Sequence, residues 1–182
     1  MKILGIDPGT ATSGYGVVEI SGKTIKPLDY GNIKTDKLHL MPYSLVKIYD
    51  SAKYLMEKHK PDVLVIEQLF FNTNVKTAIT VGQSRGIFIF TAGQFQIPVF
   101  EYTALQAKMA LTGYGRAEKE DVMAKVKELL NIFTDIKPID ASDALALTIC
   151  HAHKIGKLEI VHDIEAVKEV QKNKANGKKS KK

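Results

Sequence analysis

The sequence predicts an α/β domain: a five-stranded mixed sheet flanked by helices on both faces. Three observations lead there. Apolar runs at 3–6 and 63–66 each stop at an acid, Asp7 and Glu67, as strands buried on both faces do. Two further strand-like stretches, 14–20 and about 26–34, flank Ser21-Gly22-Lys23, so the first three strands read as an antiparallel meander. Apolar residues then recur at helical spacing in several later segments.

The elements follow in order. The first strand ends at the turn signal Asp7-Pro8-Gly9. Leu45, Ile48, Tyr49, Ala52, Leu55 and Met56 give an amphipathic helix over 42–59, with Pro42 near its start. The strand at 63–66 is followed by a loop, 70–74, and a long helix, about 75–95. In that helix Gly82 and Gly86 share a face, where missing side chains permit close approach, either to the sheet or to a second helix. A fifth strand fits 97–102, and helices fit 104–111, 119–130 and 141–153, the first two broken apart by Gly113-Tyr114-Gly115. Residues 1–156 thus form one domain. Residues 157–182 read as a basic C-terminal tail, a marginal helix to 172 and then disorder.

Composition excludes several classes. The chain has 182 residues, 45% hydrophobic and 25% charged, ordinary for a globular protein. Its longest apolar stretch, 86–92, is far shorter than a membrane span, and Asp7 interrupts any signal-peptide core, so a cytoplasmic protein without membrane contact is expected. Cys150 is alone and set among apolar residues, which suits a small buried hydrophobe. The last ten residues carry five lysines and no acid, so the net charge of +6 falls to +1 over the remainder. Total charge therefore decides little about nucleic acid; local convergence of Lys and Arg decides more.

Four carboxylates stand where a fold can bring them together. Asp7 and Glu67 end strands, and neighbouring strands would project both at one sheet edge. Asp140 and Asp143, three apart at a helix start, share a face. Clustered acids oppose joint ionisation, and a divalent cation removes that conflict. Oxygen-only ligands favour hard ions, Mg²⁺ or Mn²⁺, and two such ions could activate water and stabilise the leaving oxygen of a phosphodiester. Blander readings stand beside each acid. Asp7 could open a turn, Glu67 could be a solvated strand end, and Asp140 could be a helix N-cap with Asp143 favoured by the helix dipole. His151 and His153 beside Cys150 spread around their helix and read as surface or hydrogen-bonded histidines, not metal ligands. The stretch 7–16, rich in glycine, resembles the phosphate-binding start of sugar kinases and actin-like ATPases, but 182 residues leave no room for the second lobe those enzymes need.

The motifs Gly5-Ile6-Asp7-Pro8-Gly9 with Gly14-Tyr15-Gly16, Ile66-Glu67-Gln68-Leu69-Phe70, Gly82-Gln83-Ser84-Arg85-Gly86, Pro98-Val99-Phe100-Glu101-Tyr102, Ala117-Glu118-Lys119 and Asp140-Ala141-Ser142-Asp143-Ala144-Leu145-Ala146 together resemble the RuvC Holliday-junction resolvases of bacteria, over roughly residues 1 to 153. The resemblance implies an RNase H-like fold, a homodimer, and paired Mg²⁺-dependent nicks across a four-way DNA junction in recombination and repair, by a structure-selective endonuclease leaving 5′-phosphate and 3′-hydroxyl ends. It also implies a branch-migration helicase complex as partner. Asp7, Glu67, Asp140 and Asp143 become the catalytic, metal-holding acids, with Mg²⁺ or Mn²⁺ and two ions per site. Phe70 is the aromatic placed to stack on unpaired bases, against a simple core role. Lys108 and Lys119 match basic positions of the family; Arg116 and Arg85 are further DNA-contact candidates, each weighed against solvated or structural charge.

Overall fold

The computed structural model describes residues 1–9, 11–35, 40–69, 75–160 and 162. Strand β1 (Lys2–Asp7) is an apolar run whose even and odd residues face opposite sides, because successive side chains of a strand alternate. Strands β2 (Thr12–Ser21) and β3 (Thr24–Lys34) continue it as the expected antiparallel meander, Gly22 taking a left-handed φ of 61° at the tight turn between them. Helix α1 (Met41–His59) carries the chain to β4 (Val63–Glu67), which pairs parallel to β1 with Ile6 opposite Ile66. Helix α2 (Val75–Gln94) leads to β5 (Val99–Tyr102), parallel to β4 with Glu67 opposite Tyr102. The sheet order is β3-β2-β1-β4-β5, mixed as expected. Helices α3 (Ala104–Thr112), α4 (Lys119–Leu130) and α5 (Ile139–Lys154) complete the described elements.

Alternation divides the core in two. Leu4, Ile6, Val17, Leu64 and Ile66 bury against α1 and α2 through Ile48, Ala52, Leu55, Met56, Phe88 and Ala92. Ile3, Val18, Val63 and Val65 bury on the other face against Leu111 of α3, Val126 of α4, and Leu145 and Ile149 of α5. Helices therefore cover both faces. Helix α5 is buried along nearly its whole length, including Cys150, whose thiol desolvation pushes up to about 11; it is the inert apolar residue the sequence suggests.

Gly14 and Gly16 lie inside β2, as the strand expected over 14–20 places them. One expectation needs correction: the core does not end at 156. Lys157–Ile160 is not helical; Leu158 and Ile160 are buried against the α3–α5 side, with Lys157 and Glu159 exposed between them, a two-residue alternation. Of the expected tail, 161 and 163–182 lie outside the described residues. Of the two partners open to Gly82 and Gly86, the sheet is not the one they meet, since a Cβ at either would have nothing within 4 Å. At 100° per residue, Ile79, Gly82, Gly86, Phe90 and Gly93 form one outward stripe, while Ser84, Phe88, Thr91 and Ala92 turn inward and are buried.

Candidate active site

The same alternation that sorts the core places the acids. Ile3 and Val63 face α3–α5, so Gly5, Asp7, Val65 and Glu67 face that side too. Asp7 and Glu67 end adjacent parallel strands, one residue past the Ile6–Ile66 pair, and their side chains hydrogen-bond to each other. On the helix side, Asp140 and Asp143 occupy the first turns of α5. Asp140 is not the N-cap: Pro138 holds that position and makes no side-chain cap bond.

Glycines decide how close α5 comes. Gly5 of β1 lies opposite Gly16 of β2, and Gly14 lies opposite Asp7. A Cβ on Gly5 would stand 2.3 Å from the carbonyl oxygen of Ala144, one on Gly14 2.0 Å from that of Asp140, and one on Gly16 2.7 Å from a methyl of Leu145. These distances are shorter than any real contact, so three missing side chains form the trough in which α5 lies. The strands expected over 3–6 and 14–20 already contain these glycines; only the pairing across the sheet shows that all three face one helix.

The resulting electrostatics are strained toward negative charge. Burial, then the hydrogen bond and charge of Glu67, then the charges of Asp143 and Asp140, push the Asp7 carboxyl from 3.8 up to about 8. All four acids are thus within electrostatic reach of one another. A cavity of about 270 Å³ opens over Asp7, Glu67 and Asp143, with Lys108 and Lys119 on its wall, while the backbone of Asp140 lies against Gly14. Lys119 Nζ donates to Asp143 Oδ2 at 2.9 Å, and Asp143 first, with Asp7 and Asp140 at longer range, raises the lysine above its usual value. Lys108 Nζ donates to the carbonyl of Ala117 at 2.7 Å, tying α3 to the start of α4. Helix α3 itself is fixed by reciprocal bonds: Gln106 N–H donates to Thr103 Oγ1 (3.0 Å) and Thr103 N–H to the Gln106 side-chain oxygen (2.9 Å).

The oxygen-only donor set suits a hard divalent ion, whose charge would offset the burial and the neighbouring acids that raise the Asp7 carboxyl. Among the described residues, no three His, Cys, Asp or Glu side chains are gathered into a ready coordination sphere. Asp7 and Glu67 instead share a hydrogen bond, and an ion would have to displace that proton.

The other candidates separate. Arg116 is exposed in the turn between α3 and α4. Phe70 lies outside the described residues. Arg85 reaches from α2 to the Glu101 carboxylate and to the carbonyl of Glu67, away from the acids' cavity. His151 is buried and hydrogen-bonded to the Tyr102 hydroxyl (3.0 Å) while stacked on Phe100, and His153 bonds the carbonyl of Leu158. Both rings are thus engaged by protein groups.

The model of the family described as crossover junction endodeoxyribonuclease RuvC matches residues 3–151. The chain belongs to the RuvC family. Its relatives include a crossover junction endodeoxyribonuclease RuvC of Syntrophomonas wolfei, 48% identical over 153 residues covering 84% of this chain and 89% of that one. Another, from Desulfitobacterium hafniense, is 45% identical over 158 residues, covering 87% and 96%. Thermus thermophilus RuvC in complex with a Holliday junction substrate superposes with a TM-score of 0.80 at 29% identity, over 86% of this chain and 97% of that one. The fold of this RuvC family member is accordingly the RNase H-like fold that the motif resemblance implied. A yeast mitochondrial Holliday junction resolvase shares the fold at 13% identity and a TM-score of 0.62.

Proposed function

We propose that this chain is a crossover junction endodeoxyribonuclease that resolves four-way DNA junctions by paired hydrolytic nicks, in recombination and repair. The observation that carries the proposal is the convergence of strand-end and helix-start acids at one lysine-walled cavity, on the fold of the RuvC family. Asp7, Glu67, Asp140 and Asp143 would hold Mg²⁺, with Mn²⁺ able to substitute and two ions per site. When bound, such ions lower the pKa of water and neutralise charge developing on the phosphate. The protein's own part is positional. Glu67 and Asp7 present oxygens at the sheet edge, Asp143 is oriented by Lys119, and the two lysines attract backbone phosphate. Attack at phosphorus with departure of the 3′ oxygen leaves 5′-phosphate and 3′-hydroxyl ends.

Two symmetric cuts call for two sites, and the outward stripe of α2 fits a homodimer face. Ile79 and Phe90 are each 57% exposed on it, while Gly82 and Gly86 leave room for a second helix. Sedimentation of Gly86→Arg is expected to give a monomer where the parent is a dimer; a monomeric parent would remove this interface. The cytoplasm as compartment and a branch-migration helicase complex as partner complete the proposal, both resting on family membership; no described helix is long and apolar enough to cross a membrane.

The test incubates purified protein with a synthetic four-way junction, a linear duplex and a structured RNA, with Mg²⁺ or EDTA. Symmetric nicks in the junction alone, abolished by EDTA, are expected. Junction binding without nicks would make the protein a scaffold, and cutting of RNA alone would make it a processing nuclease.

A further inference from the structure

Arg85 sits on the sheet face opposite the acids, yet it holds the end of the strand that carries one of them. Its Nε donates to the backbone carbonyl of Glu67 at 3.2 Å, and its Nη2 pairs with the carboxylate of Glu101. Glu101 lies in β5 opposite Ile66, whose side chain faces α1 and α2, so the pair forms on the α2 side of the sheet. The arginine side chain is only 20% exposed, its fork closed by these two partners. The tie links the third turn of α2 to the ends of both β4 and β5. We infer that Arg85 is a positioning residue for the Glu67 carboxylate: by fixing the Glu67 peptide from behind, it aims that side chain at Asp7.

A point-charge contact with phosphate would need only a cation at this position. A two-partner clamp needs the planar fork of arginine, with its several donors in fixed directions, and it needs the Glu101 charge. The geometry favours the second, because both partners are protein groups and the acids' cavity lies on the other side of the sheet.

The inference rests on the proposed role of the acids. Three variants test it: Arg85→Gln, Arg85→Lys and Glu101→Gln, with Asp7→Asn alongside. Partners that orient metal ligands typically change metal affinity or activity by about 10- to 100-fold. Arg85→Gln is expected to weaken Mn²⁺ binding, measured by calorimetry without DNA, and cleavage at saturating junction, each by about tenfold or more. Junction affinity in EDTA and its salt dependence should stay at parental values. Arg85→Lys should fail to restore Mn²⁺ affinity, and Glu101→Gln should reproduce part of the loss without touching the arginine. Thermal denaturation identifies any variant that fails to fold, in which case Glu101→Gln carries the decision. Parental Mn²⁺ affinity in Arg85→Gln and Glu101→Gln would overturn the inference. So would weaker junction binding with a shallower salt slope, rescued by Arg85→Lys, which would make Arg85 a DNA contact. If Asp7→Asn still cleaves, the acid reading itself fails; if it is inactive while the clamp variants bind Mn²⁺ normally, only the positioning role fails.

Discussion

Asp7→Asn should bind a four-way junction and cut it at least about a hundred- to a thousandfold more slowly, the scale on which removal of one charge-stabilising group acts at an active site. Asparagine keeps the shape and the hydrogen bond to Glu67 but loses the charge that would hold an ion. Gel-shift in EDTA and single-turnover cleavage with Mg²⁺ measure the two halves; retained cleavage would remove Asp7 from the chemistry. The same variant has a second signature without metal. In the native chain the Asp7 carboxyl is raised from 3.8 to about 8 by burial and by Glu67, so between those values the folded state binds more protons than the unfolded one. Its contribution to stability is complete below about pH 4 and is lost as pH climbs through about 8. Metal-free parent protein should therefore lose thermal stability from pH 5 to 9, and Asp7→Asn should lose less. Parallel pH profiles would contradict the protonated Asp7–Glu67 pair. Added Mg²⁺ should restore parental stability at high pH and do so poorly in the variant.

Gly14→Ala should be the most damaging small substitution in the chain. Its Cβ would meet the carbonyl oxygen of Asp140 at 2.0 Å and the carbonyl carbon at 2.4 Å. These are backbone atoms of a buried helix and cannot rotate aside, so α5 must withdraw from the sheet. Overpacking of this kind costs about 1–3 kcal/mol, and a displacement of about 1 Å at a catalytic group can cost on the order of a hundredfold in rate. Both losses are expected together, because Asp140 moves with its own peptide. Gly93→Ala is the control for stability alone, since Gly93 lies on the proposed dimer face: nothing lies within 4 Å of its Cβ, and helix propensity should make the change neutral or stabilising by up to about 1 kcal/mol. Urea denaturation of both variants and single-turnover cleavage by Gly14→Ala decide the matter. If Gly14→Ala matches the parent in both, α5 does not depend on the glycine trough.

Much of the architecture is written locally. The apolar runs ending at Asp7 and Glu67, the turn at Ser21-Gly22-Lys23 and the helical periods at 42–59 and 119–130 are properties of short segments, and every strand and helix expected from them is present with only its ends adjusted. The motifs also carried the family, since they lie in order along 3–151. Lys119 and Lys108 were legible as basic residues near a break, though not as the cavity wall they form.

What local pattern could not supply was pairing across the chain. Asp7 and Glu67 are 60 residues apart, and their meeting depends on β4 lying parallel beside β1, a choice made by the sheet as a whole. Arg85 stayed open between a DNA contact and a structural role because its partners, Glu101 and the Glu67 carbonyl, belong to other strands. Leu158 and Ile160 read as tail because a two-residue alternation in a charged stretch has meaning only once a core is there to receive it. The sequence by itself determined which elements form and which acids are available, because propensity and periodicity act over a few residues. Only the tertiary structure decided that a glycine trough lets α5 descend onto the sheet, bringing Asp140 and Asp143 to the paired strand ends where charges crowd enough to hold a proton on Asp7.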